Sequence, residues 1–361
     1  MNTSSKRADQ LQFLRFIAFS LIFLWHTHAW FPKSFPAGEG AGLAVSFFIF
    51  LSGTVTAYSS YGREHPVTLK SSFDRVKLKM KKVYPLFFVT TMFMVCASEI
   101  PSLISNYDFK DLIPQLLELV KDMLLIQSWF PKNYFTFNGV AWFLSTIMLC
   151  YFLENPLLAL ADKIKKDKKP CLMLFLAGVI ASDIIIVYCY LLRNTNVEFT
   201  QYVFPPSRIG EFFIGICIGY TARICEEKDL IKIKSKVFFT VLEIASLALW
   251  FYSLYIIPEE IWKTRIVQAI LPNVILLTVF ILGKGYVSNL FATKPLLTLG
   301  DVSFECFLIH LLVINEYSSQ SQSNTETYLG KAFAIFFCLF LTVLISLLVS
   351  RKLKFKPREK R

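Results

Sequence analysis

Apolar residues in this chain are grouped in blocks of roughly 20, the length that crosses the ~30 Å hydrocarbon core of a bilayer. Short segments crowded with Lys and Arg separate the blocks. This pattern leaves few choices of fold. Backbone N–H and C=O groups in lipid must be satisfied within the chain, and contiguous apolar segments of this length do so as helices. Of the 361 residues, 55% are hydrophobic and 18% charged, with 36 Phe. A soluble domain sits nearer 45–50% and about 25%. The expected fold is therefore all-α: one polytopic membrane-embedded domain over residues 1–361, with spans within roughly 10–350 and a basic tail at 351–361. No other segment is long enough to build a second, soluble core.

Ten spans are expected, near 10–31, 41–60, 84–100, 138–160, 171–192, 206–223, 237–257, 264–283, 295–316 and 331–350. Segment 108–130 carries Asp111, Glu118, Lys121 and Asp122 among leucines at helical spacing, and reads as an amphipathic helix at the interface. Basic residues alternate with the spans. They crowd loops 61–83, 161–170 and 223–236 and the tail, while 32–40 and 317–330 are poor in them. By the positive-inside rule both termini are cytoplasmic, in a multi-pass protein of the plasma or inner membrane. The net charge of +12 is then topogenic and favours anionic lipid rather than nucleic acid. The eight cysteines form no CxxC pair, so neither a metal site nor a disulfide framework is expected. Lys6 and Arg7 precede a first span interrupted by Arg15, which reads as retained rather than cleaved. No internal repeat is evident.

Ionisable residues inside spans mark function by default. Arg15 and His26 are 11 residues apart, three turns plus about 20°, so they share one face of the first helix about 16 Å apart along its axis. His28 points away from that face. Histidine, with a pKa near 6.5, suits proton transfer, and arginine offers a fixed cationic fork. Arg208 and Glu211, three apart, can pair at the start of the sixth span, where Glu211 would orient a base or substrate. Trp142 and Ser145 at the start of the fourth span, and the intramembrane His310, complete the candidate substrate-binding set. Arg75, Lys79 and Lys82 precede Tyr84-Pro85 and are candidate contacts for the phosphates of an acyl-CoA.

These elements together resemble the acyltransferase-3 family of integral membrane acyltransferases. The likeness rests on Arg15/His26, on Phe47-Phe48-Ile49-Phe50-Leu51-Ser52-Gly53, and on Lys79/Lys82-Val83-Tyr84-Pro85. It extends to Trp142-Phe143-Leu144-Ser145, Arg208/Glu211-Phe212/Gly215 and Leu299-Gly300/Ser303-Phe304/Leu308-Ile309-His310. The resemblance implies transfer of an acyl group, usually acetyl, from cytoplasmic acyl-CoA as co-substrate to an extracytoplasmic carbohydrate hydroxyl such as a surface polysaccharide, with no bound cofactor. It points to His26 as the essential residue with Arg15 beside it. Many relatives carry an acidic residue where this chain has Ile147, so any role of that carboxylate is absent here or taken by Glu154 or Glu211. The rival class is a transporter or flippase exporting a polysaccharide, a lipid-linked sugar or an acylated metabolite. Self-association of the chain is left open.

Overall fold

The computed structural model describes residues 8–30, 40–99, 109–165, 198–255, 269–320 and 327–354. Thirteen α-helices lie within them: α1 Gln12–His26, α2 Gly40–Ser60, α3 Leu69–Met94, α4 Phe109–Met123, α5 Trp142–Phe152, α6 Glu154–Lys165, α7 Ile209–Glu227, α8 Lys236–Tyr252, α9 Leu271–Ile281, α10 Tyr286–Phe291, α11 Lys294–Asp301, α12 Ser303–Gln320 and α13 Tyr328–Lys354. No strand occurs among the described residues.

Ten spans is not what these residues show. Four helices are long and apolar enough to cross a membrane, or six if each of two bent pairs is one span. The expected fourth span breaks by 44° between Trp142–Phe152 and Glu154–Lys163, and the ninth by 59° between Lys294–Asp301 and Ser303–Ser319. The sixth, α7, fails on composition because Glu211, Arg223, Glu226 and Glu227 all lie in it. α1 and α9 fail on length, at 15 and 11 residues. The span at 171–192 lies outside the described residues.

The third span also begins earlier than 84. The Thr68 hydroxyl accepts from the Ser71 N–H at 3.1 Å while the Ser71 hydroxyl accepts from the Thr68 N–H at 3.2 Å. This reciprocal cap satisfies two of the first turn's orphan donors and starts α3 inside the basic segment. Arg75, Lys79 and Lys82 thus ride on a helix that runs on through Pro85 into apolar surroundings.

Packing follows membrane logic. α2 and α7 lie against each other through glycines: a Cβ on Gly53 would strike the Phe212 carbonyl, and one on Gly215 the Phe50 carbonyl. Without an oil–water difference between helices, such close backbone approach supplies the attraction. α1 crosses α2, α11 and α12, where Gly300 leaves room for the Gln12 carbonyl. Phe333, Phe336, Phe340 and Leu348 of α13 and Val237, Val241 and Ile244 of α8 face outward. Charged groups are meanwhile buried inside, including Arg208, Glu211, Glu154 and Glu243. Glu243, in the middle of α8, caps α10 from the side. It accepts from the N–H groups of Gly285 at 3.0 Å, Val287 at 3.0 Å and Ser288 at 3.3 Å, and from the Ser288 hydroxyl.

Candidate active site

The first helix presents a stripe of Arg15, Phe19, Ile22 and His26, at the four- and three-residue steps that stack on one helical face. Thr27 ends it, its hydroxyl donating to the Phe23 carbonyl at 3.2 Å. The two polar members are partly exposed, and Arg15 donates to Gln12 Oε1 at 3.3 Å. Between them Phe19 is 0% and Ile22 2% exposed, so the middle of this face is apolar and buried.

His26 meets His310 of α12, with ring centroids 5.0 Å apart and planes inclined by 55°. His310 is fully buried. Its Nδ1 lies 2.7 Å from the Phe307 carbonyl and 3.2 Å from that of Cys306. Carbonyl oxygens only accept, so Nδ1 carries the proton and Nε2 is left as a bare lone pair. Trp25 packs edge-on against His26 at 4.6 Å. His28 lies outside α1 and its Nδ1 contacts the Trp25 carbonyl at 2.7 Å.

A second polar cluster sits where α2, α5 and α7 meet. Arg208 Nη1 lies 3.1 Å from Glu211 Oε1, with both side chains buried. Ser46 joins them, donating to Glu211 at 3.2 Å and accepting from Arg208 Nη2 at 3.1 Å. Arg208 also approaches the Gln201 carbonyl at 3.4 Å and covers the Tyr202 ring at 5.8 Å. Ser145 is buried with its hydroxyl lacking a hydrogen-bond partner. Trp142 lies 4.6 Å from the Tyr202 ring. Aromatic contacts join the two clusters, from His310 to Phe307 at 6.0 Å, to Phe143 at 5.5 Å, to Trp142 at 6.2 Å. His26, His310, Trp142 and, through Tyr202, Arg208 are thus linked along one chain of aromatic contacts, while Arg15 lies at the other end of α1.

The basic set converges less completely. Arg75 and Lys79 each lie 3.4 Å from the carboxylate of Glu154, which is 0% exposed. Glu154 is the first residue of α6, created by the break after Phe152, where the helix N-terminus favours a negative charge. Arg75 also donates to Asn155 at 3.2 Å and Lys79 to Thr56 at 3.2 Å. Lys82 is exposed on the outside of α3. Nearby, His65 lies 3.7 Å from Asp162 and 3.4 Å from the Tyr220 hydroxyl. Burial holds its imidazole below the ordinary histidine range, against the pull of Asp162.

Reading the sequence alone did not single out Ser46, Gln201 or Tyr202 as partners of the Arg208–Glu211 pair. Ser46 lies in a stretch of small and apolar residues, and its partners are more than 160 positions away. Only the adjacency of Gln201 and Tyr202 to Arg208 was available as a signal. Of the two carboxylates offered in place of the acid missing at Ile147, Glu211 joins the arginine cluster and Glu154 the basic one.

Residues 9–351 match the family described as acyltransferase domain. The chain belongs to the acyltransferase-3 family. Acyltransferase MdmB of Streptomyces mycarofaciens is 25% identical over 293 residues, covering 75% of this chain and 68% of that protein. No solved structure matches. The chain is accordingly a membrane acyltransferase, an enzyme that transfers groups other than aminoacyl groups.

Proposed function

We propose that this acyltransferase-3 protein moves an acyl group, acetyl in the simplest case, from acyl-CoA on the cytoplasmic side to a hydroxyl of a carbohydrate on the other side of a plasma or inner membrane. The observation that carries the reading is the imidazole of His26 at the end of a stripe that starts with Arg15, with buried apolar side chains between them. A donor from one side and an acceptor from the other require polar groups at both ends of such a segment.

In this reading Arg75 and Lys79, with Lys82 at the rim, hold the nucleotide phosphates of the donor. Arg15 steadies the thioester arm as it enters along α1. His26 takes the proton of the acceptor hydroxyl while its oxygen attacks the thioester carbonyl, and returns that proton to the departing thiolate. A thioester is already a good acyl donor, so positioning and one base suffice. Trp142 offers an aromatic face to a sugar ring, and Arg208, Glu211 and Ser145 offer polar atoms to its hydroxyls. His310 closes the site behind His26.

The test uses the purified full chain in lipid nanodiscs with radiolabelled acetyl-CoA and soluble methyl glycosides. Label should move to the glycoside with release of one thiol per acetyl, and His26→Ala should lower the rate by about 10²–10⁴-fold, the usual contribution of a positioned base. A folded His26→Ala protein with the normal rate overturns the proposal. Gradient-dependent export of a glycan without thiol release would instead place the protein among transporters.

A further inference from the structure

The group that fixes the orientation of His26 has not yet been assigned. A base must present a bare nitrogen to the hydroxyl, and imidazole has two nitrogens that differ only in which carries the proton. Enzymes settle this with a hydrogen bond to the second nitrogen, usually from a carboxylate. Here the aromatic rings packed around His310 are Phe19 at 5.6 Å, Phe23 at 6.4 Å, Phe307 at 6.0 Å and His26 at 5.0 Å. Three are phenyl rings that offer no proton. Burying imidazole this completely is costly unless both nitrogens are used. Nδ1 is satisfied by the turn behind it, and Nε2 is buried without a hydrogen-bond partner among the described residues.

We infer that His310 is the positioning residue of His26. Its Nε2 accepts the N–H of the His26 ring, directly or through one water, and so turns the other His26 nitrogen, unprotonated, toward the acceptor. A centroid separation of 5.0 Å, less the two ring radii, is within hydrogen-bond reach after a small rotation of the partly exposed His26. The 2.7 Å bond to Phe307 fixes the tautomer, because a proton on Nδ1 keeps Nε2 an acceptor. During transfer the hydroxyl proton goes to His26 and from there to the thiolate. The oxygen–carbon bond forms, the carbon–sulfur bond breaks, and His310 ends as it began. His310 thus occupies the role a carboxylate fills elsewhere, with no net charge buried in the bilayer. The inference rests on the proposed base role of His26 and the thioester donor.

The experiment compares five variants in nanodiscs with acetyl-CoA and a methyl glycoside. His310→Phe keeps the ring and removes the acceptor, and should lower kcat about 100-fold with KM for acetyl-CoA unchanged. His310→Gln places an amide oxygen near the Nε2 position and should recover the rate to within about tenfold of the unmodified protein, whereas His310→Asn, whose oxygen falls near Nδ1, should not. Combining His310→Phe with His26→Ala should cost no more than His26→Ala alone, since the two act as a unit. Multiplying losses, or a His310→Phe rate within threefold of normal, would overturn the inference while leaving His26 as base. If His310→Phe does not fold, the Gln and Asn proteins decide, and equal rates overturn it. If the unmodified protein shows no thiol release, the proposed donor fails first and separately.

Discussion

The Arg208–Glu211 pair allows structure and chemistry to be separated. At 3.1 Å, with an effective dielectric constant of about 20, the Coulomb attraction is about 5 kcal/mol. Both side chains are buried, so removing one partner strands a buried charge beside Ser46, the Gln201 carbonyl and the Tyr202 face. Breaking buried pairs typically costs about 3–5 kcal/mol, while replacing both partners with neutral groups of similar volume is often nearly neutral. Glu211→Gln and Arg208→Met alone should each destabilise the protein by about 3–5 kcal/mol, and the double variant should recover to within about 2 kcal/mol of the original. Denaturant unfolding of the purified protein, followed by tryptophan fluorescence at fixed detergent and lipid, reads these values. If the pair also binds the acceptor, the restored double variant stays slow, with kcat/KM for the glycoside down about 100-fold, near 2.7 kcal/mol of lost transition-state binding. Single variants as stable as the parent would refute the buried pair. A double variant with normal turnover would show it to be scaffolding only.

Other consequences are quicker to check. Arg75→Gln should raise KM for acetyl-CoA about tenfold with little change in kcat, and the exposed Lys82→Gln about twofold, in steady-state assays at fixed ionic strength. On α4, the Asp122 carboxyl is 0% exposed, and burial helped by Glu118 pushes it up to about 8. Because its unfolded pKa is near 3.9, the folded form holds the extra proton between about pH 4 and 8, and stability should fall as pH rises through that window. Asp122→Asn should abolish this dependence, seen as unfolding midpoints at pH 6 and pH 9 that no longer differ. Glu243→Gln leaves one acceptor oxygen for a carboxylate site that receives three N–H groups and a hydroxyl, and turns an NH₂ toward donors. It should cost about 1–3 kcal/mol in the same unfolding assay.

What the sequence disclosed divides along physical lines. Block length and hydropathy announce apolar helices, and they do so for α2, α8 and α13. An average over a block does not report where it bends, although both breaks fall beside polar or helix-breaking residues, Glu154-Asn155-Pro156 and Gly300-Asp301. The early start of α3 was hidden by its lysines, which read as loop, although Thr68 and Ser71 stand at capping-box spacing. Pairs within one helix, such as Arg208 with Glu211, follow from three-residue spacing. Encounters between helices do not. His310 was visible as an intramembrane histidine, but its meeting with His26 depends on how α1 crosses α12. Glu243 drew no notice inside an apolar block, since the N–H groups it serves lie more than 40 residues away.

The buried stretch of α1 follows from the same chemistry as its polar ends. A thioester brought near the membrane midplane meets two competing nucleophiles, the acceptor hydroxyl and water. Excluding water is what lets transfer outrun hydrolysis. In the proposed two-sided transfer, Phe19 and Ile22, buried between Arg15 and His26, would keep water from the thioester while its arm lies along α1. A smaller side chain there should leak. Phe19→Leu is expected to fold, to keep thiol release from acetyl-CoA within about threefold of normal, and to divert released acetyl from glycoside to water, so that free acetate per thiol rises several-fold. The ratio of labelled acetate to labelled glycoside measures the partition directly. An unchanged ratio in a well-folded Phe19→Leu protein would mean that water is kept out elsewhere and that Phe19 only packs.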